Sequence, residues 1–308
     1  MRACVDIGGT KVAVSLSKDS NSPLLARRSE PTATTGANDA VARQILRLVD
    51  EACAEQGVDP KSVDSVGVST AGPFELQDGL VELASPNICG GIAGPARGLP
   101  NDWRTALLEA PLKQRFARVR VENDGVAALE AERRWGALQG LDHCAYVTWS
   151  TGVGVGLCVD GRILRGKNGN AGHAGHSFVV DDASGALCGC GNVGDVEALI
   201  AGNSMARRFG QPPAELFAAA ASGDAHAREI TGALCRVMGR MLYNLIATLD
   251  LQRISLGGSV FWHNRDYLLP RLQAQVDGHL PPLTRGVLLV PAGLGDRVGD
   301  YAALALLD

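Results

Sequence analysis

The 308-residue sequence lacks any run of lysine and arginine: 29 Lys and Arg stand against 33 Asp and Glu, a net charge of −4. Nucleic-acid-binding proteins concentrate basic charge, so this balance argues against a nucleic-acid partner and favours small-molecule ligands. No uninterrupted apolar run approaches the roughly 20 residues of a transmembrane helix. No charged segment followed by an apolar one stands at the start. We therefore predict a cytoplasmic protein that does not bind membranes.

Two common nucleotide-binding motifs are also absent. The sequence contains no G-x-x-x-x-G-K-[ST], which excludes a P-loop. Gly152, Gly154 and Gly156 lie between two strand-like segments instead of opening a helix, which excludes a Rossmann turn. Any bound phosphate must then be held by turns between strands.

Length and pattern indicate two lobes. With 308 residues, 46% of them hydrophobic, the chain exceeds the size at which one core stops growing, about 250–300 residues. We predict an α/β protein with an N-terminal lobe of residues 1–122, on which residues 298–308 pack, and a larger lobe of residues 123–297. Within the first lobe, Asn38 is predicted to cap a helix that Gly57 ends.

The alternation of helix and strand continues beyond that first helix. The pattern from Asn101 predicts a helix through Leu112, followed by a strand at Val119–Val121. A second helix is predicted to begin at Asn123-Asp124 and to end near Trp135.

Two glycine-rich turns lie about half a chain apart, within residues 6–11 and 150–156. Glycine permits positive φ or a close approach to a ligand, and successive N–H groups in such a turn form an anion site. Each turn alone is equally consistent with a plain hairpin. Together they predict two lobes that hold one nucleotide, with the Asp6 carboxylate holding the hydration shell of Mg²⁺.

A third glycine turn follows the predicted strand Arg253–Leu256 and could approach an adenine or ribose, although an ordinary strand-to-helix turn explains it as well. The predicted nucleotide-binding residues are Asp6, Gly8, Gly9, Thr10, Lys11, Thr151, Gly152, Gly154, Gly257 and Gly258.

Asp124 follows an apolar strand and precedes a helical segment. This places its carboxylate at the C-terminal end of a strand, where open α/β sheets bind ligands. In phosphoryl transfer, a carboxylate orients the attacking hydroxyl and accepts its proton, so we predict that Asp124 is the catalytic base. A helix cap formed by Asn123 and Asp124 fits the same position.

The segment 166–195 has no clean period and is rich in glycine, histidine and cysteine. Its metal-binding side chains, enough for a four-coordinate structural zinc, are His173, His176, Cys188, Cys190 and Asp195. Two reduced cysteines in a glycine turn, or a reversible disulfide, are the alternatives. Glu197 follows and could accept hydrogen bonds from sugar hydroxyls, although an acidic residue in a first helical turn needs no ligand.

In order and spacing, these motifs resemble those of the ROK family of sugar kinases, which have an actin-like (ribonuclease H-like) two-lobed α/β fold. The resemblance covers essentially the whole chain and rests on residues 6–11, 122–124, 150–156, 175–176 and 188–197. It implies ATP and Mg²⁺, a cleft between the lobes, and a homodimer or homotetramer. Repressors of the family carry an N-terminal winged helix, whereas this chain begins at its first strand, so we expect the kinase branch.

The resemblance also implies roles for single residues. Asp124 becomes the base for the 6-hydroxyl of a sugar. The residues implied at the sugar are Asn87, Asn123, His173, His176 and Glu197. The zinc ligands of the family match His176, Cys188 and Cys190, whereas Asp195 replaces a third cysteine and supplies a harder oxygen ligand, which weakens the site.

His173 stands where many glucokinases of the family have glutamate. The local pattern, residues 172–176, resembles that of bacterial N-acetylmannosamine kinases, whose sugar carries an acetyl carbonyl to which a histidine can donate. We therefore expect 6-phosphorylation of N-acetylmannosamine. A glucokinase or broad hexokinase is the alternative, and a non-catalytic, sugar-responsive regulatory protein is the alternative of another class.

Overall fold

The structure is a computed structural model that describes residues 1–19, 22–93, 98–181 and 184–307. Two compact units are present. The first comprises Met1–Ala131, Arg165–Ala171 and Gly299–Asp308, and the second comprises Glu132–Leu164 and Gly172–Val298. Residues 123–131 and 165–171 thus belong to the first unit, whereas the sequence-based division assigned them to the second lobe.

Strands and helices alternate along the described chain. The strands are β1 (Arg2–Ile7), β2 (Lys11–Ser17), β3 (Leu25–Pro31), β4 (Ser65–Thr70), β5 (Phe74–Gln77), β6 (Leu80–Leu83), β7 (Ala106–Leu107), β8 (Arg118–Asn123), β9 (Cys144–Trp149), β10 (Val153–Val159), β11 (Arg162–Ile163), β12 (Arg253–Gly257) and β13 (Leu288–Pro291). The helices are α1 (Ala40–Gln56), α2 (Glu109–Lys113), α3 (Asp124–Trp135), α4 (Val196–Ile200), α5 (Gly202–Phe209), α6 (Pro213–Ser222), α7 (Ala225–Leu249), α8 (Ser259–His263), α9 (Arg265–Asp277), α10 (Pro281–Thr284) and α11 (Val298–Ala305).

The main sheets of the two units have the same strand arrangement. The first runs β3-β2-β1-β4-β8 and the second β11-β10-β9-β12-β13. In each, the central strand pairs antiparallel with the strand that follows it in the chain and parallel with the next strand of the sheet. The two predicted glycine turns, β1 to β2 and β9 to β10, therefore occupy equivalent places in a duplicated architecture.

Helix α1 of the first unit has the helical spacing of apolar residues and the terminal glycine that the sequence predicts. Its buried face carries Val41, Ile45 and Leu48 at helical spacing, and Gly57 ends it in the left-handed conformation at φ 62°. The predicted cap at Asn38 is wrong. Asp39 is the N-cap residue and makes no side-chain cap bond, whereas Asn38 donates from Nδ2 to the Thr105 carbonyl at 3.5 Å.

The helix predicted from Asn101 through Leu112 is wrong over most of that range, because only α2 is helical and β7 precedes it. The side chain of Asn101 joins loops instead. Its Oδ1 accepts from the Gly90 N–H at 2.7 Å, and its Nδ2 donates to the carbonyls of Thr34 and Ile88, each at 3.0 Å. These three hydrogen bonds hold Asn101 in a loop rather than in the first turn of a helix.

Helix α11 packs on the sheet of the first unit. A Cβ built on Gly67 of β4 would lie 2.1 Å from the Ala303 carbonyl oxygen, so glycine is required for this contact. Arg118 also donates to the Leu307 carbonyl at 2.8 Å. The C-terminal residues thereby complete the first unit.

A fully buried carboxylate, Glu132 of α3, organises part of the second unit. It accepts hydrogen bonds from the N–H groups of Ala137, Gly293 and Leu294 and from the Ser255 hydroxyl, each at 2.9 Å. Four donors offset the free-energy cost of removing this carboxylate from water.

Within the described chain, no helix is both long and apolar enough to span a bilayer.

Candidate active site

Two of the predicted site segments lie at one edge of the first sheet. Ile7, Thr70 and Asn123, the last residues of the parallel strands β1, β4 and β8, are aligned in register. The first glycine turn follows β1, and Asp124 follows β8 as the first residue of α3. The topology therefore brings the predicted phosphate turn and the predicted base to the carboxyl edge, where open α/β sheets bind ligands.

The first glycine turn is shaped by hydrogen bonds and by a close side chain. The Gly8 N–H donates to the Lys11 carbonyl at 2.8 Å. Neither Gly8 nor Gly9 has a positive φ, so positive φ, one of the two reasons for glycine that the sequence left open, does not apply to this turn. Gly9 is required for space instead, because a Cβ there would lie 2.6 Å from the Cβ of Asn87. Asn87, predicted to contact sugar, thus lies directly against the predicted phosphate turn.

Sequence reasoning missed Thr32, which follows β3 and holds the same turn. Its hydroxyl donates to the Gly8 carbonyl at 2.8 Å and its N–H donates to the Thr10 carbonyl at 3.2 Å. A single threonine after an edge strand carries no motif, so no local signal could have found it.

Asp6 is the acidic residue of this turn. Burial raises the pKa of its carboxyl to about 6, against the opposing effects of Lys11 and Arg27 and with a further rise from Asp300. A carboxylate whose ionised form is disfavoured by burial gains from a nearby cation. The chemistry of Asp6 therefore fits the predicted magnesium ion, since oxygen ligands suit this hard cation.

At the junction of β8 and α3, the Gly125 N–H donates to Asn123 Oδ1 at 2.9 Å and to Asp124 Oδ1 at 2.8 Å. The local cap that the sequence left open is therefore present. It does not conflict with the predicted role of Asp124 as a base, because the Gly125 N–H fixes the orientation of the carboxylate.

In the second unit, glycines place two histidines against β10. A Cβ on Gly172, whose φ is +94°, would lie 2.0 Å from the Val155 carbonyl oxygen, and one on Gly175 would lie 2.2 Å from that of Val153. The loop can therefore lie directly on the strand. The rings of His173 and His176 stack with their centroids 5.9 Å apart and their planes at 15°.

His173 has a buried polar atom suited to a ligand. Its Nε2 is buried and finds no hydrogen-bond partner among the described residues. Burial lowers the pKa of this imidazole, with a smaller contribution from His176. A neutral imidazole offers one N–H donor and one acceptor. Because an unpaired buried polar atom is destabilising, a bound hydroxyl or carbonyl would be favoured here.

The second glycine turn also packs against a residue predicted to bind sugar. Glu197 Oε2 accepts from the Val153 N–H at 3.0 Å, and a Cβ on Gly152 would lie 2.6 Å from the same oxygen. A side chain at residue 152 would therefore have to displace the Glu197 carboxylate. The structure brings Thr151, Gly152 and Gly154 together with Glu197 in one corner of the second unit.

The third turn has an internal explanation. Gly258 has φ +85°, and a Cβ there would lie 2.5 Å from the Trp149 carbonyl oxygen. A Cβ on Gly257 would lie 2.3 Å from the Tyr146 hydroxyl. Packing alone requires both glycines, so their nucleotide role stays a prediction.

Four of the five predicted metal ligands come together: His176, Cys188, Cys190 and Asp195 have ligand atoms within 4.8 Å of one another. His176 Nδ1 lies 3.6 Å from Cys188 Sγ and 3.2 Å from Asp195 Oδ2, which lies 3.5 Å from Cys190 Sγ. Zinc bond lengths of about 2.0–2.3 Å place the ligands of a tetrahedron about 3.3–3.8 Å apart. The donor set and its spacing therefore fit zinc.

The thiols and the imidazole of this group respond to their surroundings. All eight cysteines are free, so Cys188 and Cys190 are thiols rather than a disulfide. Burial raises the pKa of Cys188, and the hydrogen bond to Asp195 raises that of His176. Zinc must therefore displace protons on binding. The ion, when bound, would tie the loop that carries Cys188 and Cys190 to His176.

Asp195 has a second function, because its Oδ1 accepts from the Ala198 N–H at 2.7 Å and caps α4. Asp195→Cys should therefore have two opposite effects. Zinc affinity should rise by about tenfold or more, since a thiolate replaces a hard oxygen. The metal-free protein should lose about 1 kcal/mol of stability, since the cap is lost. Chelator competition and melting in EDTA measure the two effects.

Asp224→Cys is the matched control. Asp224 caps α7 through the Ala227 N–H, also at 2.7 Å, but it is not part of the metal group. It should lose comparable stability and leave zinc affinity unchanged. Equal zinc affinity of Asp195→Cys and the natural protein would show that residue 195 is not a ligand.

Comparison with known proteins identifies the family of the chain. The sequence model of the ROK family matches residues 2–308. A glucokinase of Aeropyrum pernix is 30% identical over 98% of this chain and 95% of its own. An N-acetylmannosamine kinase of Salmonella typhimurium is 34% identical over 83% of this chain and 82% of its own.

The structure of a ROK-family glucokinase from Streptomyces griseus, in complex with glucose and AMPPNP, is 27% identical. It aligns over 99% of this chain and 97% of that chain with a TM-score of 0.72. Together with the duplicated sheet order, these matches confirm the predicted actin-like α/β fold.

Proposed function

Because this chain belongs to the ROK family, we propose that it is an ATP-dependent sugar kinase in which Asp124 is the catalytic base. The observation that carries the proposal is the shared carboxyl edge of β1 and β8, where the glycine turn and Asp124 both lie. Phosphoryl transfer depends mainly on positioning and on charge stabilisation, and that edge supplies N–H donors and a carboxylate.

The proposed reaction uses these groups in turn. The N–H groups of the two glycine turns and the Lys11 ammonium bind phosphate oxygens. The Asp6 carboxylate would hold Mg²⁺, which would supply neutralisation of the phosphate charge. Asp124 accepts the proton of the 6-hydroxyl while that oxygen bonds to the γ-phosphorus and the bond from phosphorus to the β–γ bridging oxygen breaks. The products are the sugar 6-phosphate and ADP.

For the acceptor, we favour N-acetylmannosamine. Support comes from His173, whose buried Nε2 has no partner in the described part of the chain. An imidazole N–H can donate to an acetyl carbonyl, which a glutamate side chain cannot do when ionised. The Salmonella relative carries the same activity in its name.

Glucose is the second candidate acceptor, because the Aeropyrum relative covers 98% of this chain and is named a glucokinase. ADP release should be measured with Mg²⁺ and ATP on N-acetylmannosamine, glucose, mannose, N-acetylglucosamine and fructose. Saturable sugar binding without turnover on any of them would contradict the kinase and favour a regulatory protein.

His173→Glu tests the recognition of the acetyl group. The ratio of kcat/KM for N-acetylmannosamine to that for glucose should fall about tenfold to a hundredfold, the effect of about 1–3 kcal/mol for one buried hydrogen-bond partner. His226→Glu, at an exposed position on α7, should leave the ratio unchanged. An unchanged ratio in His173→Glu would remove this residue from acceptor recognition.

A further inference from the structure

Arg165 joins the two elements that meet at Asp124. Its Nε donates to Glu122 Oε1 of β8 at 2.5 Å, and one terminal nitrogen donates to Glu130 Oε1 of α3 at 2.7 Å. The Glu122 and Glu130 side chains are only 7% and 15% exposed. Charge-assisted bonds to such shielded carboxylates are strong and directional. The guanidinium therefore links the end of β8 to the second turn of α3.

The segment that carries Arg165 is anchored to the first unit at both ends. Near its other end, Asn170 accepts from the Phe74 N–H and donates to the Phe74 carbonyl, each at 2.8 Å. The Ala171 N–H donates to the Arg165 carbonyl at 3.0 Å and closes the segment. Residues 165–171 are thus a short strap, fixed by two side chains and followed directly by the loop of His173.

We propose that Arg165 is a positioning residue for Asp124, acting by clamping Glu122 and Glu130 on either side of the strand-to-helix junction. This rests on the proposed function for its effect on turnover, but not for its effect on structure. The Asp124 carboxylate is held at the start of α3, and displacement of a reacting group by about 1 Å can reduce turnover a hundredfold. Only arginine has a planar fork that can bond two separate carboxylates in this way.

Arg165→Met should lower kcat about 10–100-fold while the Kd values for sugar and nucleotide change less than about threefold. Arg165→Lys should recover part of the loss, because an ammonium retains the charge but not the fork. Glu130→Gln should lower kcat less. Its combination with Arg165→Met should be no worse than Arg165→Met alone, since both break one linkage. Arg162→Met, at an exposed arginine of β11, is the matched control.

Hydrogen exchange separates this proposal from the kinase assignment. In folded Arg165→Met, the Gly125 N–H and its neighbours in the first turn of α3 should exchange faster than in Arg162→Met, whether or not any sugar is phosphorylated. Unchanged exchange at Gly125, or a kcat equal to that of Arg162→Met, would overturn the positioning role. If the natural protein were inactive on every sugar but exchange were faster in the variant, the kinase assignment would be wrong. The effect of Arg165 on the structure of the junction would still be supported.

Discussion

Asp124→Asn should lower kcat about 10²–10⁴-fold, the usual contribution of a general base. The amide oxygen can still accept from the Gly125 N–H, which lies 2.8 Å from Asp124 Oδ1. We therefore expect α3 to begin as before and the protein to remain folded. ADP release measures turnover, and calorimetry measures sugar binding, which should be retained.

Asp266→Asn is the matched control for this experiment, because the Asp266 side chain is 98% exposed. It should behave as the natural protein does. If Asp124→Asn retained more than about a tenth of natural turnover, the proton of the attacking hydroxyl would have to go elsewhere and Asp124 would not be the base.

Asp6→Asn should make the protein more stable and less active. Burial raises the pKa of Asp6 from 3.8 to about 6, so the folded state takes up a proton more readily than the unfolded state. This contribution to stability is fully present below pH 3.8 and is lost as the pH rises through about 6. Above about pH 7, the variant should exceed the natural protein in stability by up to about 3 kcal/mol.

Denaturant unfolding at several pH values measures this gain. The difference between the two proteins should grow from about pH 4 to pH 7 and then stay constant. Asp266→Asn, at a side chain that is 98% exposed, is the control for the substitution itself. A difference independent of pH would mean that the ionisation of Asp6 carries no folding penalty. In the same variant, kcat with Mg²⁺ and ATP should fall sharply, since the proposed magnesium carboxylate is lost.

Local patterns were sufficient to predict much of the fold. The strand predicted at Arg253–Leu256 is β12, which ends one residue later, and the strand predicted at Val119–Val121 lies within β8. The helix predicted from Asn123-Asp124 to near Trp135 is α3. The periodicity of hydrophobic residues, and the glycines between segments, are sufficient to predict such elements. The helix predicted from Asn101 failed because the side chain of Asn101 bonds to residues distant in sequence, which no local pattern reports.

The residues of the candidate site were likewise partly predicted from local patterns and partly missed. Clustered motifs predicted the group of His176, Cys188, Cys190 and Asp195, although His173 lies outside it. Arg165, Thr32 and Glu132 escaped prediction, because each acts through partners far along the chain. A lone arginine, threonine or glutamate has no periodicity, so only the tertiary structure gives such a residue its role.

The close contacts of the two glycine turns restrict how their neighbouring residues could be redesigned. Asn87 packs on Gly9 through its Cβ, and the Glu197 carboxylate packs on Gly152. Under the proposed roles, a library that changes residue 87 or 197 to admit new sugars would therefore also disturb a turn proposed to bind phosphate. His173 Nε2, by contrast, is buried without a hydrogen-bond partner among the described residues. Under the proposed roles, engineering of acceptor choice should begin at that histidine.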